Sequence, residues 1–255
     1  MRNAWIICQK EMRSYFASPI AYLLLTMFAL VFGIFFWNML GLFVLEGMEM
    51  QMSGQAFPMN INEQVIRPIL SNVGVLSLFF VPMITMRLFA EEKRTGTIEL
   101  LATSSITDVE IIVGKWFAAM ILYSCLLFFT AVNFAFLFKY GNPDWKPLAV
   151  GYLGLLLQAG ALLAIGTFIS TLTKNQIIAG AATFGVCLVL WVVGWVRGYE
   201  TATWAQVLSY ISVITHFQSF TKGVVELKDA IFYISVIFLG LFLTSRSMES
   251  LRWRS

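Results

Sequence analysis

Ala90–Lys115 reads AEEKRTGTIELLATSSITDVEIIVGK, a charged and cap-rich segment set between two long apolar runs. Pro68–Met86 precedes it and Trp116–Phe138 follows it almost at once; apart from the segment itself, charge is scarce on either side. A soluble globule carries about 25% charged residues, whereas this 255-residue chain has 12% charged and 59% hydrophobic residues. Such a chain cannot clothe itself in polar surface, so hydrocarbon is the solvent for most of it. The segment is then a polar handle between two membrane helices, and the expected fold is an all-α polytopic membrane protein.

Further uncharged runs lie at Ser14–Leu45, Pro147–Thr173, Asn175–Val196 and Ala230–Ser245. About 20 apolar residues cross a bilayer core, with about 17–25 tolerated. Ala230–Ser245 is the shortest; Val225 and Leu227 extend its apolar character, and Lys228 and Arg246 can snorkel to the two interfaces. The chain reads as a single transmembrane domain, 1–255, with six spans at 19–45, 68–89, 112–138, 148–171, 177–196 and 228–245. Before them, residues 1–16 mix Trp5, Ile6, Met12 and Phe16 with Arg2, Lys10, Glu11 and Arg13, which predicts an interfacial amphipathic helix. Ser18-Pro19 separates it from the first span. That first run is too long for a signal h-region and lacks a small-x-small site close behind, so it reads as an uncleaved anchor. Thr201–Thr221 is uncharged but too rich in Ser, Thr and Gln for a lipid-facing span. It predicts exterior re-entrant helices before the last span.

Orientation follows the basic residues. Of 17 Lys and Arg, Arg67, Lys139, Lys146, Arg197, Lys222 and Lys228 fall outside if the amino terminus is inside; all the others are then cytoplasmic. Both termini are expected in the cytoplasm. The net charge of +3 follows from this topology, and no basic stripe or aromatic platform points to nucleic acid.

Several chemistries lose ground. No ionisable residue is expected at mid-depth in the spans, which argues against proton relays and ion-coupled carriers. Cys8, Cys125 and Cys187 read as small buried residues rather than as disulfide partners. Met48, Met50, Met52 and Met59 invite a copper reading, but without a nearby Cys or His they read as apolar surface, so no metal site is expected. An intramembrane enzyme would have only Ser124, Asn133, Gln158 and Ser170 to work with, and these form no recognised pair. His216, the single histidine, has no catalytic motif around it. Gly114-Lys115 is followed by Trp116, not Ser or Thr, and lacks the upstream glycine, so no phosphate cradle forms. Small-xxx-small pairs at Gly160/Ala164 and Ala181/Gly185 suit close helix contact, within one chain or between two copies.

The handle has its own grammar. Glu91, Glu92, Lys93 and Arg94 close span two, Gly96 breaks the chain, and Thr97 caps a short helix through Ile98, Glu99, Leu100, Leu101 and Ala102. Ser104 and Ser105 stop it, and Thr107 with Glu110 has capping-box spacing before the third span. Ile98, Leu100, Leu101 and Ile106 are apolar in a water-facing loop, the mark of a docking surface. On the other side, Asn60 and Glu63 resemble a capped helix start, and Lys139–Pro147 a tight turn joining antiparallel spans.

Three stretches carry a family resemblance: KEMRSYFASPIAYLLLTMF at 10–28, EEKRTGTIELLATSSITDVEIIVGKW at 91–116 and HFQSFTKGVVELKDAIFYISVIFLGLFLTSRSMESLRW at 216–253. In this order they resemble permease subunits of ATP-binding-cassette exporters of the ABC-2 type, and within these the branch similar to gliding-motility-associated permeases. The resemblance implies a bacterial inner-membrane exporter subunit that is not itself an enzyme. A separate ABC ATPase subunit dimer binds ATP and Mg, and a second permease copy or paralogue completes the membrane part. It implies a coupling helix at Thr97–Thr103, with Glu91, Glu92, Lys93, Arg94, Gly96, Thr97, Ile98, Glu99, Leu100, Leu101 and Thr103 meeting the ATPase. Spans two and five would line the substrate path through Asn72, Ser77, Thr85 and Thr183, and His216, Phe217 and Phe220 would stand at an exterior gate. The alternative is a force-transmitting subunit that drives exterior machinery, with a partner bearing an exterior domain, without moving a solute.

Overall fold

The computed structural model describes residues 2–53, 60–98, 106–198 and 210–252, and among these every regular element is helical. The helices are α1 (Arg2–Ala17), α2 (Pro19–Ser53), α3 (Arg67–Thr85), α4 (Ala90–Thr95), α5 (Asp108–Tyr140), α6 (Trp145–Leu172), α7 (Gln176–Val192), α8 (Val213–Thr221) and α9 (Leu227–Arg252). A π-turn, Asn62–Ile66, feeds α3, and a 3-10 turn, Val193–Gly198, extends α7. Among the described residues, six helical stretches are long and apolar enough to cross a membrane: Pro19–Ser53, Asn62–Thr95, Asp108–Tyr140, Trp145–Leu172, Gln176–Trp195 and Leu227–Ser250.

The breaks come from local chemistry. Proline follows Ser18, whose carbonyl neighbour Tyr15 accepts the Ser18 N–H at 3.2 Å, and α1 ends there. Asn60 Oδ1 accepts the Asn62 N–H at 3.0 Å, so the helix leading into α3 starts well before the apolar run does. Thr107 Oγ1 accepts the Glu110 N–H at 3.4 Å and donates to Glu110 Oε2 at 3.3 Å, the capping arrangement that opens α5. Asp144 caps α6 by accepting the Lys146 N–H at 3.2 Å, which closes the short α5–α6 turn.

α6 is the axis of the molecule, with α3 and α9 running parallel to it on its two sides. Glycines set the spacing. A side chain at Gly151 would strike Leu70, one at Gly166 would strike Thr85, and one at Gly240 would lie 2.9 Å from the Ala164 backbone. Without a hydrophobic driving force between helices in lipid, such close approach is what holds them together. Gly160/Ala164 is thus spent within the chain, against Ile237 and Gly240, whereas a Cβ at Gly185 would meet nothing within 4 Å. α2 attaches along one stripe, Ala21, Leu24, Phe28, Phe32 and Phe36. Phe28 stands edge-on to Phe80 at 5.1 Å, and Phe36 to Phe134 at 6.0 Å. At 35 residues α2 is about 52 Å long, well beyond a bilayer core of about 30 Å.

α1 packs along the start of α5 in the same direction. Asn3 reaches Glu110 at 3.1 Å, the Ala4 carbonyl and Ile7 press on Gly114, Glu11 meets Lys115, and Tyr15 shares a recess with Leu122. Its inner face is therefore taken by protein, and Arg2, Trp5, Ile6, Gln9, Lys10 and Arg13 face outward. The end holding α1, α4 and the start of α5 is termed the base, and the end holding the α5–α6 turn and α8 the crown.

Candidate functional site

At the base, α3 is interrupted just where the handle begins. Pro82 removes a backbone donor inside the helix, and the turn after Thr85 leaves the Leu88 carbonyl outside any helical ladder. The buried Lys115 ammonium takes that carbonyl at 2.8 Å, with Glu11 Oε1 and Glu92 Oε1 each also at 2.8 Å. All three of its protons are thereby used. The Phe89 ring lies 5.2 Å from the same nitrogen. One cation thus pins α1, the α3–α4 break and α4 onto α5. Glu92 Oε2 is buried and has no hydrogen-bond partner among the described residues.

α6 holds the same segment from the other side. Ser170 Oγ accepts the N–H groups of Phe89 and Ala90 at 3.0 and 3.1 Å, capping α4 from a distant helix. Lys93 Nζ donates to the Thr171 carbonyl. Arg87 pairs with Glu91 at 3.0 Å one turn on, and Arg94 is exposed. Gly96 then ends α4 with φ +74°, the left-handed conformation that glycine reaches without a Cβ penalty. Thr97 Oγ1 lies 3.0 Å from Thr95 Oγ1, and Ile98 is again helical and packs on the core. Glu99, Leu100, Leu101 and Thr103 lie outside the described residues.

Tyr15 and Cys8 border this region. Burial, reinforced by the Glu11 carboxylate, pushes the Tyr15 phenol well above its ordinary range, and the same two causes raise the Cys8 thiol. Both stay neutral, so Cys8 is a packing residue and a poor nucleophile.

The residues nominated for a path divide. Ser77, Thr85 and Thr183 are fully buried. Ser77 Oγ donates to the Val73 carbonyl and sits 2.6 Å from Tyr123 Oη; Thr85 and Thr183 bond back to the carbonyls of Val81 and Ala179. Asn72 is half-buried, on the side of α3 that also presents Leu76 and Phe79. Phe79 meets Phe184 of α7 at 5.1 Å, so these rings form part of an apolar wall. Of the polar residues weighed for enzyme chemistry, Ser124 and Asn133 bond to their own helix, Gln158 to the Gly74 carbonyl and Ser170 to α4.

At the crown, α8 lies over glycines of α3 and α6: a Cβ at Gly74 would come 3.0 Å from Phe217, and one at Gly154 2.5 Å from Phe220. His216, Phe217 and Phe220 are all buried. α8 ends in a reversal at Gly223, φ +78°, with Val224 N–H bonded to the Ser219 carbonyl at 3.1 Å. That turn brings α9 back so that Asp229 Oδ1 stands 2.7 Å from His216 Nδ1. Sequence reasoning left His216 unpaired, because twelve intervening positions and a glycine reversal separate the partners. It also counted Lys115 and Glu11 only as surface charges. The available signal was a charged residue within the first turns of an apolar helix, as at Lys115 and at Asp229.

A family model described as "ABC-2 family transporter protein" matches residues 46–245. Two curated relatives named "Probable multidrug ABC transporter permease YbhR", from Escherichia coli strain K12 and Escherichia coli O157:H7, are each 29% identical over 163 residues, covering 63% of this chain and 43% of their own length. The chain thus spans less than half the length of the curated relatives it matches. With the match extending from the end of α2 to the last span, and six apolar helices long enough to cross a bilayer, the chain belongs to the ABC-2 family of transporter proteins as a multi-pass membrane member.

Proposed function

We propose that the chain is the transmembrane permease subunit of an ATP-driven exporter in a bacterial inner membrane, with both termini and the base in the cytoplasm. A separate ABC ATPase dimer binds ATP and Mg, and docks on the handle that follows Gly96. The observation that carries this reading is the anchoring of α4. It is fixed to α5 and α1 through Lys115, and to α6 through Ser170 and Thr171. A push on the handle therefore reaches three helices at once rather than bending a free loop. The exposed Trp5, Ile6, Lys10 and Arg13 of α1 flank the same end and add contact surface.

The exposed face of α7, with Ala181 and Gly185 uncovered, supports pairing with a second copy or a paralogue. The path then runs between the two permeases along α3 and α7, past Asn72 and the Phe79/Phe184 wall. Ser77, Thr85 and Thr183 join it only when α3 and α7 separate from their neighbours. An apolar wall suits amphiphilic cargo, in keeping with the multidrug description of the relatives. The α8 segment, with His216, Phe217 and Phe220, is the exterior gate. Force transmission without a solute rests on the family resemblance alone and is the weaker reading.

The test is co-expression and co-purification with an ABC ATPase from the same organism, followed by measurement of ATP turnover. Leu100→Asp and Glu99→Arg are expected to weaken docking by about 2 kcal/mol or more, roughly 30-fold, as at interface hot spots. Both variants should still insert. Variants that co-purify fully and keep full turnover would show that the handle is not the docking element.

A further inference from the structure

The crown holds a buried acid–base pair that the transport reading does not use. His216 and Asp229 are 3% and 1% exposed. His216 Nδ1 lies 2.7 Å from Asp229 Oδ1, and its Nε2 lies 2.8 Å from the Tyr210 carbonyl. A carbonyl only accepts, so Nε2 carries a proton. The short Nδ1–Oδ1 contact needs a second proton, either on the ring with Asp229 ionised or on the carboxyl with the ring neutral. Both arrangements hold two protons and no net charge. Removing one leaves a net negative charge in a site walled by Phe232, stacked on the imidazole at 4.0 Å, and Tyr210, edge-on at 4.9 Å. Asp229 Oδ2 is buried without a hydrogen-bond partner among the described residues, so that charge is offset only by the amino-terminal turn of α9, in which Asp229 lies.

We propose that the His216–Asp229 pair is a proton-held clasp on α8: with both protons present it fastens α8 to α9, and loss of one proton to the exterior solution releases α8 from the crown. Tyr233 of α9 adds a second tie, its hydroxyl donating to the Val213 carbonyl at 2.7 Å. Other charged groups nearby sit at the rim. Lys222 is exposed at the end of α8, and Glu226 accepts from Ser219 and pairs with Lys228 at 2.5 Å. The contacts of α8 with α3, α6 and the 3-10 turn run through Gly74, Gly154 and Gly194, none of which titrates.

The sign follows from proton counting. Released to water above about pH 6.5, the imidazole is neutral and the carboxylate ionised, so the free groups hold one proton fewer than the clasp. Raising the pH therefore favours release, with a limiting slope of about tenfold per pH unit for one proton. The inference takes from the proposed function only that the crown faces the exterior, and is independent of which solute moves or in which direction.

Two measurements on the full chain in lipid nanodiscs test it. The chain has one histidine, so nitrogen-15 histidine labelling yields a single imidazole. Near neutral pH the spectrum should show Nε2 protonated and Nδ1 in a strong hydrogen bond. An unprotonated Nε2 would overturn the proposal. Second, with the native cysteines replaced, labelling of Val213→Cys by an impermeant maleimide is compared with that of the exposed Tyr140→Cys between pH 6.5 and 8.5. The ratio should rise by up to about tenfold per pH unit, and should be flat with Asp229→Asn, whose amide donates to Nδ1 without a titrating proton. A flat ratio in the parent chain, or an unchanged slope in Asp229→Asn, would overturn the clasp. Should Asp229→Asn fail to fold, the parent ratio and the imidazole spectrum still decide.

Discussion

Lys115 shows how a single side chain can join elements far apart in sequence. Its three donors meet two carboxylates and a carbonyl freed by the break at Leu88, all at 2.8 Å. Removing the cation leaves Glu11 and Glu92 facing each other with little access to water, each side chain only 13% exposed. Breaking one partner of a buried ion pair costs about 3–5 kcal/mol. Lys115→Met is accordingly expected to lower the thermal midpoint of the purified chain markedly. Lys115→Arg should not restore it, because a planar guanidinium cannot reproduce three convergent bonds from one nitrogen. A Lys115→Met chain as stable as its parent would remove the hub from the account. In sequence Lys115 is one more cytoplasmic cation, and nothing in its neighbours shows that Glu11 stands across from it. The capping residues Thr107 and Asp144 were different: their bonds are local, so spacing alone reveals them or suggests their turn.

Among the elements, close packing decides which helix faces are spent. A Cβ at Gly240 would lie 2.9 Å from backbone atoms of Ala164, and backbone cannot rotate aside. Gly240→Ala should therefore push α9 off α6 and cost about 1–3 kcal/mol, as overpacking does. Gly185→Ala has open space and should leave the unfolding midpoint unchanged. Thermal unfolding in detergent compares the two, and equal effects would contradict the assigned packing. The helices themselves were readable from uncharged runs, and Gly96 from its place after a charged turn. What the runs cannot convey is which small residues meet partners: Gly160/Ala164 and Ala181/Gly185 look alike in sequence, yet only the first pair is covered within the chain. Likewise α1 carries the amphipathic pattern of a surface helix, yet Ile7, Cys8 and Tyr15 are its buried residues, Ile7 pressing on Gly114 of α5, while Trp5 and Ile6 stay exposed.

For the molecule as a whole, the architecture is an axis, α6, with parallel flanks α3 and α9, a base that gathers α1, α4 and α5 around one ammonium, and a crown where α8 rests on glycines. Family membership agrees with this arrangement, and the proposed role adds a motor outside the chain that acts at the base. If so, the base and only the base touches the ATPase. A photo-crosslinking residue placed at Ile98, and in a separate chain at Gly141 in the α5–α6 turn, tests that directly when each is expressed with the ATPase in intact cells. The account predicts an ATPase adduct from Ile98, lost with Leu100→Asp, and none from Gly141. Adducts from Gly141, or none from Ile98 while the complex is intact, would contradict it.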